Sequence, residues 1–206
     1  MTRTNHRRAR TGARILVAED EPLNALALKA QLEALGFQVI GPASNGRQAI
    51  DLAAQNPLDL AILDIRMPEV SGITAAAEIF RLQPLPILLL SGYSTPEFIK
   101  QAAELPVFHY LVKPVTMEDL VPAISVARAR FREWSDFRAE ARELQQKLDD
   151  RQLVERAKSL LMQNRGLSEP DAYRLLQRES QNRNQPMAEI ARSILLTRTI
   201  LGSDQR

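Results

Sequence analysis

Glu19-Asp20, Asp64, Ser91 and Lys113 each stand at the close of a short apolar run, at 15–18, 58–63, 86–90 and 107–112. Carboxylates brought to one place repel each other and are costly without a cation. A hard divalent ion with oxygen ligands relieves that repulsion, and Mg²⁺ typically takes one or two carboxylates together with water and phosphate oxygens. Asp20 and Asp64 are the expected ligands, with Glu19 reaching the ion directly or through water. A carboxylate acceptor, a metal, the Ser91 hydroxyl and the fixed Lys113 ammonium are together the parts that stabilise a phosphoryl group in flight. Each residue alone is ordinary, since strand-end Asp residues often cap helices, a lone Lys is usually solvated, and Ser-Gly is a common turn. Their joint placement at matching run ends is what points to a site.

For these groups to meet, the runs must be neighbouring parallel strands. Apolar runs at 15–18, 39–40, 58–63, 86–90 and 107–112 alternate with amphipathic stretches at 22–35, 47–54, 73–80 and 95–103, and a fifth opens near Met117. Near-continuous apolar strands separated by helices indicate an α/β fold with a five-stranded parallel sheet covered on both faces. Sites of such sheets lie at the carboxyl edge of the strands. The breakers agree: Pro22 suits a first helical turn, Gly36 suits a left-handed C-cap, and Pro68 and Gly72 punctuate the loop after the third strand.

Beyond Met117 the helical pattern does not stop. Leu120, Ile124, Ala127, Phe131 and Trp134 recur at steps of four and three, slip at Phe137, and resume through Ala141, Leu144 and Leu148. The pattern predicts one long helix with a heptad-like seam, either a dimeric coiled coil or an amphipathic helix lying on its own chain. Three helical stretches follow: the first ends at Arg165-Gly166, Ser168-Glu-Pro-Asp171 opens the second, and Pro186 opens the third. The expected division is a basic flexible arm at 1–13, an α/β domain at 14–127, a helical linker at 128–150 and an all-α three-helix bundle at 151–206.

The 206 residues suffice for two small domains with cores of their own. There is no cysteine, which excludes disulfides and thiolate metal sites. No run approaches the roughly 20 apolar residues of a membrane span, and no apolar segment follows the first ten residues to make a signal peptide. A cytoplasmic protein with no membrane partner is expected. Charge is uneven: residues 1–14 hold five Arg and no acid, 15–127 hold 6 basic and 13 acidic side chains, and 128–206 hold 16 basic and 12 acidic. The basic C-terminal segment is compatible with a polyanionic partner, although such charges are most often a solvated face.

The segments Glu19-Asp20, Asp64-Ile-Arg-Met-Pro68 with Gly72, Ser91-Gly92 and Tyr110-Leu-Val-Lys113-Pro114 resemble the receiver domain of bacterial two-component response regulators, a flavodoxin-like fold. That resemblance implies that Asp64 accepts a phosphoryl group from a sensor histidine kinase. It implies that Asp20 and Asp64 hold Mg²⁺ with Glu19 assisting, and that the Arg66 backbone carbonyl is another ligand. Ser91 and Tyr110 would be the hydroxyl and aromatic switch, Lys113 would pair with the phosphate, and Lys113-Pro114 would be a cis bond. Phosphorylation would draw Ser91 and Lys113 inward and let Tyr110 rotate, altering the surface around the fifth strand. The stretch 104–109 departs from the small Gly-Ala turn commoner in the family.

Leu153-Val-Glu-Arg-Ala-Lys158-Ser-Leu-Leu-Met162, Gly166-Leu-Ser-Glu-Pro-Asp-Ala-Tyr173 and Met187-Ala-Glu-Ile-Ala191 resemble the ANTAR domain, a three-helix RNA-binding unit of transcription antiterminators. Such proteins bind paired RNA hairpins as dimers. RNA loops are read through stacking and phosphate contacts, for which Lys158, Arg165, Arg174, Arg178 and Arg183 offer cations and Tyr173 a stacking face. Ser159, Gln177 and Gln181 stand where the family commonly has Gly, Arg and Met.

Together these readings predict a non-enzymatic, phosphorylation-controlled antiterminator that dimerises on activation and binds tandem RNA hairpins. A DNA-binding regulator is the first alternative, but the basic residues do not gather on the last helix, where a reading helix would want them. Sequestration by a ligand-binding partner protein is another.

Overall fold

Strand register is what brings the separated run ends together. The computed structural model describes residues 12–92 and 108–201. Five strands, β1 (Arg14–Ala18), β2 (Gln38–Ala43), β3 (Leu60–Asp64), β4 (Ile87–Ser91) and β5 (His109–Val112), form one parallel sheet in the order β2-β1-β3-β4-β5. Ala18 pairs with Leu63, Asp64 with Leu90, and Ser91 with Val112. Residues one step beyond these partners therefore crowd onto the same carboxyl edge, where the order reverses between β1 and β3.

The inner strands are apolar on both faces because both faces are covered. Leu16, Ala18, Ala61, Leu63, Ile87 and Leu89 join one buried cluster, while Ile15, Val17, Leu60, Ile62, Leu88 and Leu90 join another. Helices α2 (Gly46–Gln55) and α3 (Gly72–Leu82) supply Ala49, Ile50, Ala53, Ala75, Ala76 and Ile79 to the first cluster. Helix α1 (Pro22–Ala34) supplies Leu28 and Leu32 to the second. Helix starts are chemically specified: Asn45 accepts from the Gln48 amide and Ser71 from the Thr74 amide, satisfying first-turn donors. Gly36, just past α1, has φ +87°, the left-handed conformation expected of it.

Helix α4 (Met117–Arg165) runs unbroken for 49 residues, as its uninterrupted pattern predicts. Its seam, however, changes task along its length. Leu120, Ala123, Ile124 and Ala127 are buried against the chain's own sheet, with Phe131 and Trp134 packed on the same cluster. The first half is therefore an amphipathic helix on its own domain and not a coiled-coil surface. After the slip at Phe137 the apolar positions face solvent, with Phe137 72%, Leu144 54% and Leu148 56% exposed.

The chain divides into two compact units, residues 1–135 and 136–206, so the slip falls at the boundary. In the second unit Ala157 and Leu161 of α4 pack with Ala172 and Leu176 of α5 (Glu169–Arg183) and Ile190 and Ala191 of α6 (Met187–Leu201). Ser168 caps α5 at the Asp171 amide, and Asn184 ends it in the left-handed conformation. Among the described residues no helix is long and apolar enough to cross a membrane. The helix expected at 95–103, the stretch 104–107 and residues 1–11 of the basic arm lie outside the described residues.

Candidate functional site

At the carboxyl edge, ligand oxygens of Glu19, Asp20 and Asp64 lie within 4.8 Å of one another. Glu19 and Asp64 are buried, while Asp20 is exposed at the rim. β1 delivers Glu19 and Asp20 by ending at Ala18, and β3 delivers Asp64 as its last residue. Three hard oxygen donors at this spacing fit a divalent cation such as Mg²⁺.

Lys113 follows β5 and turns into the cluster. Its Nζ donates to Asp64 Oδ2 at 2.5 Å and to Glu19 Oε1 at 2.8 Å. The other oxygen of Asp64 accepts from the Arg66 backbone amide at 3.1 Å, so the carboxylate is held at both atoms. Lys113-Pro114 is cis, as the resemblance implies, and the Lys113 amide donates to the Ser91 carbonyl at 2.9 Å. Gly72 packs so close to the Asp64 backbone that a Cβ there would strike its carbonyl oxygen, which accounts for a glycine at the first position of α3.

The charges tune one another. Burial pushes the Glu19 carboxyl above its ordinary value, the Lys113 hydrogen bond opposes that, and the neighbouring Asp64 charge adds to burial. For Lys113, burial alone would lower the ammonium pKa, but the hydrogen bonds and charges of Asp64 and Glu19 outweigh it and hold it above the usual lysine value. Ser91 closes β4 at half burial, and Tyr110 sits half-buried against the cluster that holds Leu63 and Leu89. Burial raises the Tyr110 phenol pKa. A cleft of about 550 Å³ lined by Asp20, Arg66, Met67 and Ser71, among others, opens beside the acids.

In the helical unit the named cations divide. Arg174 and Arg178 share one exposed stripe of α5 with Gln177 and Gln181, at helical spacing, and Tyr173 beside them is 44% exposed. Arg165 is exposed at the end of α4, Arg174 lies 3.6 Å from Asp171, and Arg183 lies 3.4 Å from Glu179. Lys158 differs from all of them. Only 7% exposed, it bridges Glu155 at 3.0 Å and Glu169 at 2.8 Å, which ties α4 to the first turn of α5. The Glu155 partner is legible at helical spacing, but Glu169 lies across a turn, so nothing in the local pattern announces the bridge. Ser159, at the position of a common Gly, is exposed and bonds the Glu155 carbonyl at 3.0 Å.

The described sheet, the acid cluster and its lysine define a receiver, and the comparisons agree. The family model of the response regulator receiver domain matches residues 15–125, and that of the ANTAR domain matches residues 142–195. The chain belongs to the response regulators, with a receiver domain followed by an ANTAR domain. It is 39% identical over 184 residues to the transcriptional regulatory protein PdtaR of Mycobacterium tuberculosis, spanning 89% of this chain and 90% of that protein. To the chemotaxis protein CheY of Thermotoga maritima it is 30% identical over 115 residues, 55% of this chain and 96% of that one. Among solved structures, a response regulator receiver domain protein from Clostridium thermocellum matches 59% of this chain and 98% of its own, at 32% identity and TM-score 0.54.

Proposed function

We propose that this protein is a non-enzymatic regulator in which phosphorylation of Asp64 by a sensor histidine kinase controls dimerisation and binding of tandem RNA hairpins, and so transcription antitermination. The observation that carries the reading is the Asp64 carboxylate, buried at a strand end, held by Lys113 at 2.5 Å and grouped with Glu19 and Asp20. In the transfer, an Asp64 oxygen bonds to phosphorus as the donor's P–N bond breaks and its electron pair returns to the imidazole. Glu19, Asp20, Asp64 and the Arg66 carbonyl would hold Mg²⁺, whose charge offsets that on the transferring phosphoryl group. Lys113, already at the acceptor, keeps its ammonium within reach of the new phosphate oxygens. Ser91 supplies a hydroxyl donor, and Tyr110 moves with it to change the surface around β5.

The output rests on the ANTAR match and on the exposed stripe of α5. Tyr173, Arg174 and Arg178, with Arg165 and Arg183 nearby in sequence, supply stacking and phosphate contacts, while Lys158 serves the unit's packing first. Dimerisation uses the exposed seam of Phe137, Ala141, Leu144 and Leu148. Four positions fall short of the three to four heptads that sustain a coiled coil alone, so the seam needs help from phosphorylated receivers. That shortfall makes the dimer responsive to phosphorylation, and two linked units gain affinity for paired hairpins through effective concentration.

Crosslinking of bound transcripts, with and without phosphodonor, tests the reading. Paired hairpins ahead of terminators should be enriched with donor in wild type and not in Asp64→Asn. Recovery of duplex DNA in place of RNA would replace this reading with that of a DNA-binding regulator.

A further inference from the structure

Four polar or charged side chains are buried among the described residues: Glu19, Asp64, Lys158 and Asn45. The first two belong to the acid site and Lys158 bridges two helices, which leaves Asn45 with no task beyond the helix cap already described. Both ends of its amide are used. Oδ1 accepts from the Gln48 amide at 2.8 Å and caps α2. Nδ2 donates to Glu69 Oε1 at 3.2 Å, in the loop that leads from β3 to α3.

The next residue fastens the same loop. The Gly46 amide donates to the Val70 carbonyl at 3.1 Å, and a Cβ on Gly46 would strike that oxygen. The start of α2 therefore grips residues 69 and 70. Glu69 has a φ of +62°, a left-handed conformation that a non-glycine residue keeps only where its surroundings enforce it. At its base the loop is closed by the Gly72 amide on the Ile65 carbonyl at 3.0 Å, and the Arg66 amide holds Asp64 Oδ1 at 3.1 Å. The Arg66 carbonyl, a Mg²⁺ ligand in the function proposed above, lies in this loop three residues ahead of Glu69. A backbone carbonyl has no rotamer with which to find a metal, so its direction is set only if the loop is set. Mg²⁺ demands near-ideal octahedral geometry, and groups that orient its ligands without touching it tune its affinity.

We propose that Asn45 is a positioning residue of the phosphoryl site: by holding Glu69 it fixes the loop between β3 and α3, and through that loop the direction of the Arg66 carbonyl toward Mg²⁺. This rests on the reading of Glu19, Asp20 and Asp64 as the metal site. The test is calorimetric titration of the full chain with Mg²⁺ in wild type, Asn45→Asp, Asn45→Asp combined with Glu69→Gln, and Asp64→Asn. Label uptake from radiolabelled acetyl phosphate at subsaturating Mg²⁺ is followed in parallel. Asn45→Asp keeps a good helix cap, withdraws the donor and sets a carboxylate against that of Glu69. Its added negative charge alone would tighten Mg²⁺ binding, so charge and positioning predict opposite signs. A hydrogen bond of this kind is worth about a fivefold change in an equilibrium. Asn45→Asp should therefore bind Mg²⁺ about two- to fivefold more weakly and take up label more slowly by a similar factor. The double variant has the formal charge of wild type, and its introduced amide donates to the introduced carboxylate, so it should regain most of the loss. Mg²⁺ affinity in Asn45→Asp equal to or above that of wild type, or no recovery in the double variant, would overturn the role of Asn45. Wild type that binds no Mg²⁺, or Asp64→Asn that binds it as tightly as wild type, would overturn the metal-site reading on which that role stands.

Discussion

A Cβ on Gly72 would collide with the carbonyl of Asp64, so the first residue of α3 tolerates no side chain against the end of β3. Gly72→Ala must push apart β3 and the start of α3, and overpacking against backbone cannot be relieved by a rotamer change. The expected cost is about 3 kcal/mol or more, at the upper end for added methyl groups, read as a lowered midpoint in urea unfolding; a midpoint unchanged from wild type would contradict the packing. Glu19, Asp20, Asp64, Ser91 and Lys113 were legible in the sequence because each closes an apolar run, and parallel register converts run ends into one cluster. The position of the Arg66 guanidinium, 3.4 Å from where a Cβ on Gly92 would stand, was not legible, since it depends on a rotamer across two loops. The Lys158 bridge to Glu169 was hidden for the same reason: helical spacing announces partners within a helix and not between helices.

At the scale of elements, α4 shows a pattern with two meanings. The four-three repeat through Leu120, Ile124, Ala127, Phe131 and Trp134 would suit a coiled coil or a helix on its own sheet, and sequence alone left both open. Phe80, Phe108, Phe131 and Trp134 decide it, because their rings meet at centroid distances of 4.9 to 6.4 Å and anchor this part of α4 to α3 and the start of β5. Past the slip, Leu144 and Leu148 have no such partner within the described chain. The double substitution Leu144→Glu with Leu148→Lys should abolish the phosphodonor-induced dimer in sedimentation. It should change the stability of the monomer by no more than about 0.5 kcal/mol, the range for exposed positions. A dimer that survives it would place the interface elsewhere. Lys158→Gln separates packing from recognition in the second unit. It leaves Glu155 and Glu169 without their shared cation, so the thermal midpoint of the helical unit should fall. Arg178→Ala, on the exposed stripe of α5, should weaken RNA binding with no change of midpoint. The reverse pattern would return Lys158 to the RNA surface.

For the whole molecule, the central claim is that charge placed on Asp64 in one unit is read as RNA affinity in the other. The fold class, the two units and the single helix joining them in sequence follow from apolar periodicity and uninterrupted helix formers, which is why so much of the architecture was legible. The proposed coupling came from the family resemblance and not from periodicity, since the pattern of one chain does not display a dimer. The direct measurement is the affinity of the full chain for an RNA carrying two hairpins and for the same RNA with one hairpin destroyed, with and without phosphodonor and Mg²⁺, in wild type and Asp64→Asn. Donor should raise wild-type affinity for the paired hairpins by at least about tenfold, as two-site binding allows, with little gain on the single hairpin and none in Asp64→Asn. Equal affinity for paired hairpins with and without donor in a wild-type protein shown to carry the phosphoryl group would contradict the account.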